Sequence, residues 1–403
     1  MSSSQSPVKP RLAASERLQN VPPYALAKVF QNRDEKLRQG VDVIDFGVGN
    51  PDIRPPQLAL DTLQAALVDP KVQNHRYPSF NGLPEFRAAV AHWYGRRFGV
   101  SVDAEREALA LVGSKEGIAK FFLGHLNPGD TILLCTPCYP AYLGVAALAQ
   151  VRVIEVPLLA ANGFRPDLGA IPEDEARRAK VIFLNYPNNP TGGTETAEMY
   201  DEVIAFARRH DLFVVSDIAY CDLSLDPTYR GRSFLQHDRD KERTLEFHSF
   251  SKSYSMQGWR LGFAAGNADI VGNLTRIKSN MDFGVFMAIQ RAGLAVLNGP
   301  QDYCVDAAKL YRKRGEAFLK AIAPLGFPVE LPRATLYLWL PIPRRATNSL
   351  DFTAELLEAT GVVVGPGSGF GQAGEGYVRI ALCVDEARCR DAGERMVRAG
   401  FHW

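Results

Sequence analysis

No stretch of these 403 residues approaches the roughly 18 consecutive apolar positions that a membrane-spanning helix requires, so a transmembrane reading is excluded. The opening Met1 to Pro10 is rich in Ser, Gln and Pro and lacks the apolar core of a secretory signal. It reads as a loose tail, and the expected setting is the cytoplasm. An excess of charge of one sign is missing too. The formal net charge is +1 and the basic residues form no runs, which leaves no electrostatic footprint for nucleic acid or membrane. Cysteine is sparse: Cys135, Cys138, Cys221, Cys304, Cys383 and Cys389 are dispersed, the usage expected of reduced thiols. Cys135 and Cys138 form a C-x-x-C, but no second pair and no nearby histidine accompany them, so no metal is expected. Asn273-Leu274-Thr275 fits a glycosylation acceptor only by chance, since no secretory route leads to it.

What is present is an ordinary globular mixture, 46% apolar and 23% charged, in a chain longer than one usual domain. A large and a smaller domain are therefore expected. Short apolar runs at Ala108 to Val112, Thr131 to Cys135, Val151 to Val156, Val181 to Asn185, Leu212 to Ser216, Thr244 to His248 and Leu261 to Ala265 alternate with helix-like stretches. That is the pattern of an α/β fold, a mostly parallel central sheet with helices on both faces. A helix is predicted over Thr194 to His210 and another from Pro300 to Ile322. Beyond these the pattern changes to strands at Leu336 to Leu340 and Tyr377 to Cys383, with helices near Phe352 to Glu358 and Glu386 to Ala399. The expected division is a tail over 1–10, an N-terminal segment over 11–49 packing with the small domain, a large domain over 50–299 and a small α+β domain over 300–403.

Ligands of open α/β sheets bind beyond the carboxyl ends of the strands, so the residues after each run carry the functional reading. Gly113-Ser114-Lys115-Glu116-Gly117 leads into a helix and offers free backbone N–H groups to a phosphate, although a serine-capped glycine turn explains it equally well. In Asn185-Tyr186-Pro187-Asn188-Asn189-Pro190-Thr191-Gly192 two prolines present Asn189 rigidly. Asp217 and Tyr220 follow the next run, where a carboxylate is often only a helix cap. The most specific segment is Ser249-Phe250-Ser251-Lys252-Ser253-Tyr254-Ser255-Met256-Gln257-Gly258-Trp259-Arg260-Leu261-Gly262, a lysine between serines with an arginine eight residues on. A solvated loop would leave its serines, its aromatic residues and its buried-looking arginine unexplained.

In order and spacing these segments resemble the class I and II aminotransferases of fold type I, which use pyridoxal 5'-phosphate. The resemblance runs from Pro22-Pro23-Tyr24 and Gly49-Asn50-Pro51-Asp52 to Val378-Arg379-Ile380. Tyr77-Pro78-Ser79 and Lys278-Ser279-Asn280 bring it nearest to the LL-diaminopimelate, alanine and aspartate enzymes. It implies that Lys252 holds the cofactor as a Schiff base and shuttles the substrate proton, that Asp217 pairs with the pyridinium nitrogen, and that Asn189 and Tyr220 bond its phenolic oxygen. It also implies Tyr139 on the ring face and Ser114, Lys115, Ser249 and Arg260 on the phosphate. Tyr77 would reach the phosphate of a second subunit, making a homodimer with shared sites. Arg379 would take the α-carboxylate of an amino acid or 2-oxo acid, with Asn189 and Gly49 beside it.

Three rivals are weighed against this. A β-lyase would use the same cofactor residues. A non-catalytic regulator would need an appended DNA-binding domain, for which the residues before Gly47 are too few. A dehydrogenase is prompted by Gly365-Pro366-Gly367-Ser368-Gly369-Phe370-Gly371, but Phe370 stands where the dinucleotide fingerprint needs glycine. That run reads instead as a small-domain loop near the substrate. Ser255 and Gln257 depart from the family pattern, which has asparagine and a small or hydroxyl residue there. The donor and acceptor stay open, with 2-oxoglutarate an acceptor the family supplies.

Overall fold

The computed structural model describes residues 13–22, 26–70 and 74–403; the tail over 1–10 and Pro23 and Tyr24 lie outside them. After a short strand β1 (Ile44–Asp45) come the strands of the main sheet: β2 (Ala108–Leu111), β3 (Thr131–Thr136), β4 (Arg152–Pro157), β5 (Ala179–Asn185), β6 (Phe213–Asp217), β7 (Thr244–Ser249) and β8 (Gly262–Gly266). Their order across the sheet is β2-β8-β7-β6-β5-β3-β4.

Side chains alternate between two packed faces, as the period of two requires. Ala108 and Ala110 meet Phe86, Val90 and Trp93 of the helix Pro84–Phe98, whereas Leu109 and Leu111 meet Ile118, Phe121 and Phe122 of Ser114–His125. Both faces are covered, which accounts for the near-continuous apolar runs.

Strands β3 to β7 run parallel, but β8 is antiparallel to both its neighbours, β2 and β7. The reason is the connection: residues 250–261 hold one short helix, Phe250–Ser253, and a 3-10 turn, Gln257–Trp259, and no helix long enough for a parallel crossover. The chain turns back at once. Residues just before β8 therefore share an edge with the carboxyl ends of the other strands.

Several boundaries move from their predicted places. Leu212 does not open β6, because its N–H closes the preceding helix on the Ala207 carbonyl. Asp217 becomes the last residue of the strand instead of the first after it. The helix predicted from Thr194 starts at Ala197, capped by the Thr196 hydroxyl, which accepts the Met199 N–H.

The remaining strands are β9 (Tyr337–Pro341), β10 (Val362–Val363), β11 (Gly365–Pro366) and β12 (Tyr377–Ala381). β11, β12 and β9 form an antiparallel sheet, and β1 pairs in parallel with β10. Helices Asp302–Ile322, Ser349–Thr360 and Glu386–Arg398 supply its core partners, among them Tyr311, Phe318, Phe352, Leu356 and Met396. Arg314 of the long helix grips both carboxylate oxygens of Asp52 at 2.7 Å and the Leu382 carbonyl at 2.9 Å, tying the loop that follows Gly49 to the C-terminal part of the chain.

Where β8 begins, a Cβ on Gly262 would lie 2.7 Å from the His248 carbonyl oxygen and 2.9 Å from the Ser114 nitrogen. Both are backbone atoms that cannot step aside. Gly262→Ala is expected to cost about 2 kcal/mol by urea denaturation, the usual penalty of overpacking. Gly258→Ala, whose Cβ would meet open space, serves as the control and should change stability by less than about 0.5 kcal/mol.

Candidate active site

The carboxyl edge of the main sheet and the small antiparallel sheet enclose a cavity of about 230 Å³. Gly49, Ser114, Lys115, Tyr139, Asn189, Asp217, Tyr220, Ser249, Lys252, Arg260 and Arg379 all line it. Of the residues singled out in the sequence, Tyr77 alone is elsewhere. It is 80% exposed and packs on Phe283, with ring centroids 4.6 Å apart.

The floor is built by strand ends. Asn185, last in β5, donates its side-chain amide to the Asp217 carbonyl at 2.7 Å and accepts the Asn189 N–H at 2.9 Å, so one residue sets the spacing of two others. Asn188 works within its own turn, accepting the Thr191 N–H and hydroxyl. Asn189 is thus the member of the pair free to face the cavity.

Asp217 is buried and accepts the Tyr142 hydroxyl at 2.7 Å and the Ala219 N–H at 3.1 Å. Burial pushes its carboxyl up to about 6, against the opposing pull of those two donors and of the nearby Lys252. Lys252 Nζ donates to the Gly49 carbonyl oxygen. A side chain at Gly49 would overlap the Tyr337 hydroxyl, so the close approach of that loop requires glycine.

Arg379, only 4% exposed, donates to Asn189 Oδ1 at 2.9 Å and to the Gly47 carbonyl at 2.8 Å, while its Nε has no partner. Its guanidinium lies between the rings of Tyr337 and Phe370, at 4.4 and 4.6 Å from their centroids. The Asn189 amide donates to the Tyr220 hydroxyl at 3.3 Å, which meets the Tyr337 hydroxyl at 3.1 Å, closing a ring of four residues. Burial, with the Tyr337 hydroxyl beside it, holds the Tyr220 phenol well above its usual value and keeps it a neutral donor. Among the described residues, Asp217, Lys252 and Arg379 have no ion-pair partner within 4 Å.

At the other end of the cavity Ser114 opens a helix of 12 residues, and Ser249 and Ser251 flank it. Arg260 is exposed at the mouth and not buried as its setting in the sequence suggests. Its guanidinium bonds the Gln257 carbonyl at 2.9 Å and lies so close to Gly113 that any Cβ there would overlap it. Glycine, helix N-terminus, hydroxyls and a cation without a carboxylate make a cradle suited to a phosphate. Arg260 and Ser255 both adopt left-handed backbone, at φ 55° and 51°. Asparagine tolerates that conformation better than serine does, which gives a physical reason for the family preference at position 255. Gln257 donates its side-chain amide to the Pro51 carbonyl at 2.8 Å, bracing the Gly49 loop against the lysine segment.

The C-x-x-C plays no part here. Both thiols are buried, and burial pushes Cys135 up to about 12. Tyr142, Tyr337 and Phe370 were not foreseen as site residues. Phe370 lies in the glycine-rich loop expected near the substrate, whereas Tyr142 and Tyr337 look like ordinary core residues in the sequence.

The sequence family described as aminotransferase class I and II matches residues 41–396. The chain belongs to it. This class I and II aminotransferase is 46% identical to the LL-diaminopimelate aminotransferase of Syntrophobacter fumaroxidans, over 96% of this chain and 99% of that protein. Substrate-bound BacF from Bacillus subtilis superposes with a TM-score of 0.91 at 32% identity, over 97% of this chain and 98% of BacF. A probable N-succinyldiaminopimelate aminotransferase from Thermus thermophilus superposes at 0.87 with 37% identity, over 93% of this chain and 100% of that one. The fold is that of the fold-type I aminotransferases, and the protein is an aminotransferase.

Because the folded-state value of Asp217 is raised, its contribution to stability is complete below the ordinary 3.8 and is lost as pH rises through about 6. In the ligand-free chain, Asp217→Asn should therefore gain on the wild type by about 2 kcal/mol between pH 4 and pH 7. Urea titrations at both pH values measure this. Parallel pH dependence of the two proteins would contradict it.

Proposed function

We propose that this aminotransferase binds pyridoxal 5'-phosphate in the cavity, with Lys252 as its covalent anchor, and alternates between an amino donor and a 2-oxo acid acceptor. LL-diaminopimelate is the favoured donor, on the strength of the relatives' names, and 2-oxoglutarate the favoured acceptor. The observation that carries the reading is that one cavity holds a buried carboxylate, a buried guanidinium and a lysine, none of them ion-paired among the described residues. Each can take one part of a zwitterionic cofactor and substrate.

The residues fit that cofactor. The cradle of Ser114, Ser249 and Arg260 suits its phosphate, with Lys115 at the rim, and Asp217 suits the pyridine nitrogen, where its negative charge keeps a proton. Tyr220 and Asn189 would donate to the phenolic oxygen, and Tyr139 would cover a ring face. When bound, the cofactor supplies an electron sink for the pair of electrons left at the α carbon.

The chain does the rest. Arg379 fixes the α-carboxylate in the two-point geometry of a guanidinium, held in place by Asn189 and the Gly47 carbonyl. Once the substrate's amino group has taken its place on the cofactor, Lys252 Nζ would be free to accept the α proton and redeliver it to the cofactor side; water would then supply the oxygen of the 2-oxo acid while the amino group stays with the cofactor. The aromatic walls, Tyr337 and Phe370, limit water at the reacting end. We assign residues 50–299 to the cofactor-holding domain, with 11–49 and 300–403 as the substrate-side body. The exposed stack of Tyr77 on Phe283, beside His75 on Phe286, supports a homodimer in which Tyr77 reaches the second subunit's phosphate. No helix among the described residues is long and apolar enough to cross a membrane, in keeping with a cytoplasmic enzyme.

A donor panel of LL-diaminopimelate, aspartate, alanine, glutamate and aromatic amino acids, each with 2-oxoglutarate where it applies, is expected to give matched amounts of new amino acid and 2-oxo acid. A β-lyase would leave these donors unconverted and release ammonia and pyruvate only from an amino acid with a leaving group on its β carbon, such as cystathionine. Borohydride reduction followed by peptide mass analysis should find the cofactor on Lys252. Lys252→Ala should keep the fold, lose that label and lose at least about 10³-fold in kcat. Arg379→Lys should lose about 100-fold in kcat/KM for every donor while retaining the label.

A further inference from the structure

A second cavity, of about 640 Å³, lies behind the lysine segment, between the helices Pro84–Phe98 and Asp302–Ile322 and the loop that follows Tyr220. Its volume is within the range of small-molecule sites. None of the residues that line the first cavity lines it. Trp93, Leu225 and Val305 give it apolar surface. Arg96, Arg97, Arg230, Lys309 and Arg312 ring that surface with positive charge.

Three of these cations are already matched: Arg97 by Asp222 at 3.3 Å, Lys309 by Asp306 at 3.0 Å and Arg312 by Glu316 at 2.8 Å. Among the described residues Arg96 donates to the Leu297 carbonyl oxygen and has no carboxylate partner, and Arg230 makes no ion pair. Two guanidinium charges are therefore left over around an apolar floor. That combination selects an organic anion over both a neutral apolar molecule and a bare inorganic ion.

The cavity is also in contact with the catalytic lysine segment. Asp222, on its wall, accepts the Ser253 hydroxyl at 2.8 Å and His248 Nε2 at 3.1 Å, and Cys304, also on its wall, donates its thiol to the Ser253 carbonyl at 3.1 Å. Ser253 follows Lys252 directly in the chain. Arg97, the third wall residue of this group, holds Asp222 and the Cys221 carbonyl.

We propose that this cavity is a second ligand site, for a small organic anion with an apolar body, coupled to Lys252 through Arg97, Asp222 and Ser253. An anion seated there gives Arg97 a second partner, weakens its hold on Asp222, and so alters how firmly the short lysine helix is held. This does not depend on which amino acid the enzyme serves.

The probe for the test is 1-anilinonaphthalene-8-sulfonate, titrated into the holoenzyme, with energy transfer from the four tryptophans of the chain identifying the site through its fall in Trp93→Phe. The expected result is one saturable site per chain, with affinity about tenfold or more weaker in the double variant Arg230→Glu, Val305→Glu. N-phenyl-1-naphthylamine, which has the same rings without the sulfonate, should bind at least about tenfold more weakly. The double variant should transaminate normally without probe, and saturating probe should change the wild-type rate about twofold or more while leaving the variant's rate alone. Equal affinity of the double variant, equal affinity of the neutral analogue, or displacement of the probe by substrate would overturn the site. Selective binding with an unchanged rate would overturn the coupling.

Discussion

The structure is organised around charges that are buried and that no ion pair among the described residues neutralises. Asp217 at the end of β6 and Arg379 in β12 are both desolvated at a cost of several kcal/mol each when left without an ionic partner. Their surroundings moderate that cost with neutral donors, acceptors and rings: Tyr142 and the Ala219 N–H for the carboxylate, Asn189, the Gly47 carbonyl and two aromatic faces for the guanidinium. A direct ion pair between the two would have been cheaper for folding and useless for binding. Keeping them apart is the task of the two sheets, one holding each charge.

The antiparallel strand β8 matters for the same reason. A parallel crossover after β7 would have sent residues 250–261 to the far edge of the sheet. The abrupt turn keeps Lys252 and Arg260 at the edge where Asn185, Asp217 and Ser249 already end their strands. Gly262 and Gly113 make the turn compact enough for the guanidinium to lie over the helix start at Ser114. Two left-handed residues, Ser255 and Arg260, absorb the bend, the kind of local strain that collects at functional sites.

Much of this was legible in the sequence. The apolar runs of the main sheet were visible because both faces are buried, and the residues at their ends because polar groups after such runs have few other reasons to be there. Less legible was anything that depends on distant parts of the chain meeting. Tyr337 and Tyr142 carry no local signal, since a tyrosine in an apolar run reads as core until its hydroxyl is found on Tyr220 or Asp217. The direction of β8 was hidden because periodicity reports burial and not polarity of the strand. The apolar neighbours of Arg260 in the chain point to burial, whereas its side chain lies exposed at the cavity mouth. The two-residue strands β1 and β10 are too short to leave any pattern.

That last pairing has a consequence for the order of events during synthesis. Ile44 and Asp45 find their partners only at Val362 and Val363, and the Gly47 carbonyl finds Arg379 later still. Domains generally fold as they leave the ribosome, N-terminal parts first, so the main sheet can close long before the segment ahead of it has anything to pair with. A nascent chain, or one cut short before β12, would have Ser114, Asp217 and Lys252 in place but not the Arg379 guanidinium that faces them across the cavity. The wall supplied by β12 is thus the last part of the cavity to be made, and a prematurely ended product would leave Asn189 and the Gly47 carbonyl without the cation they hold.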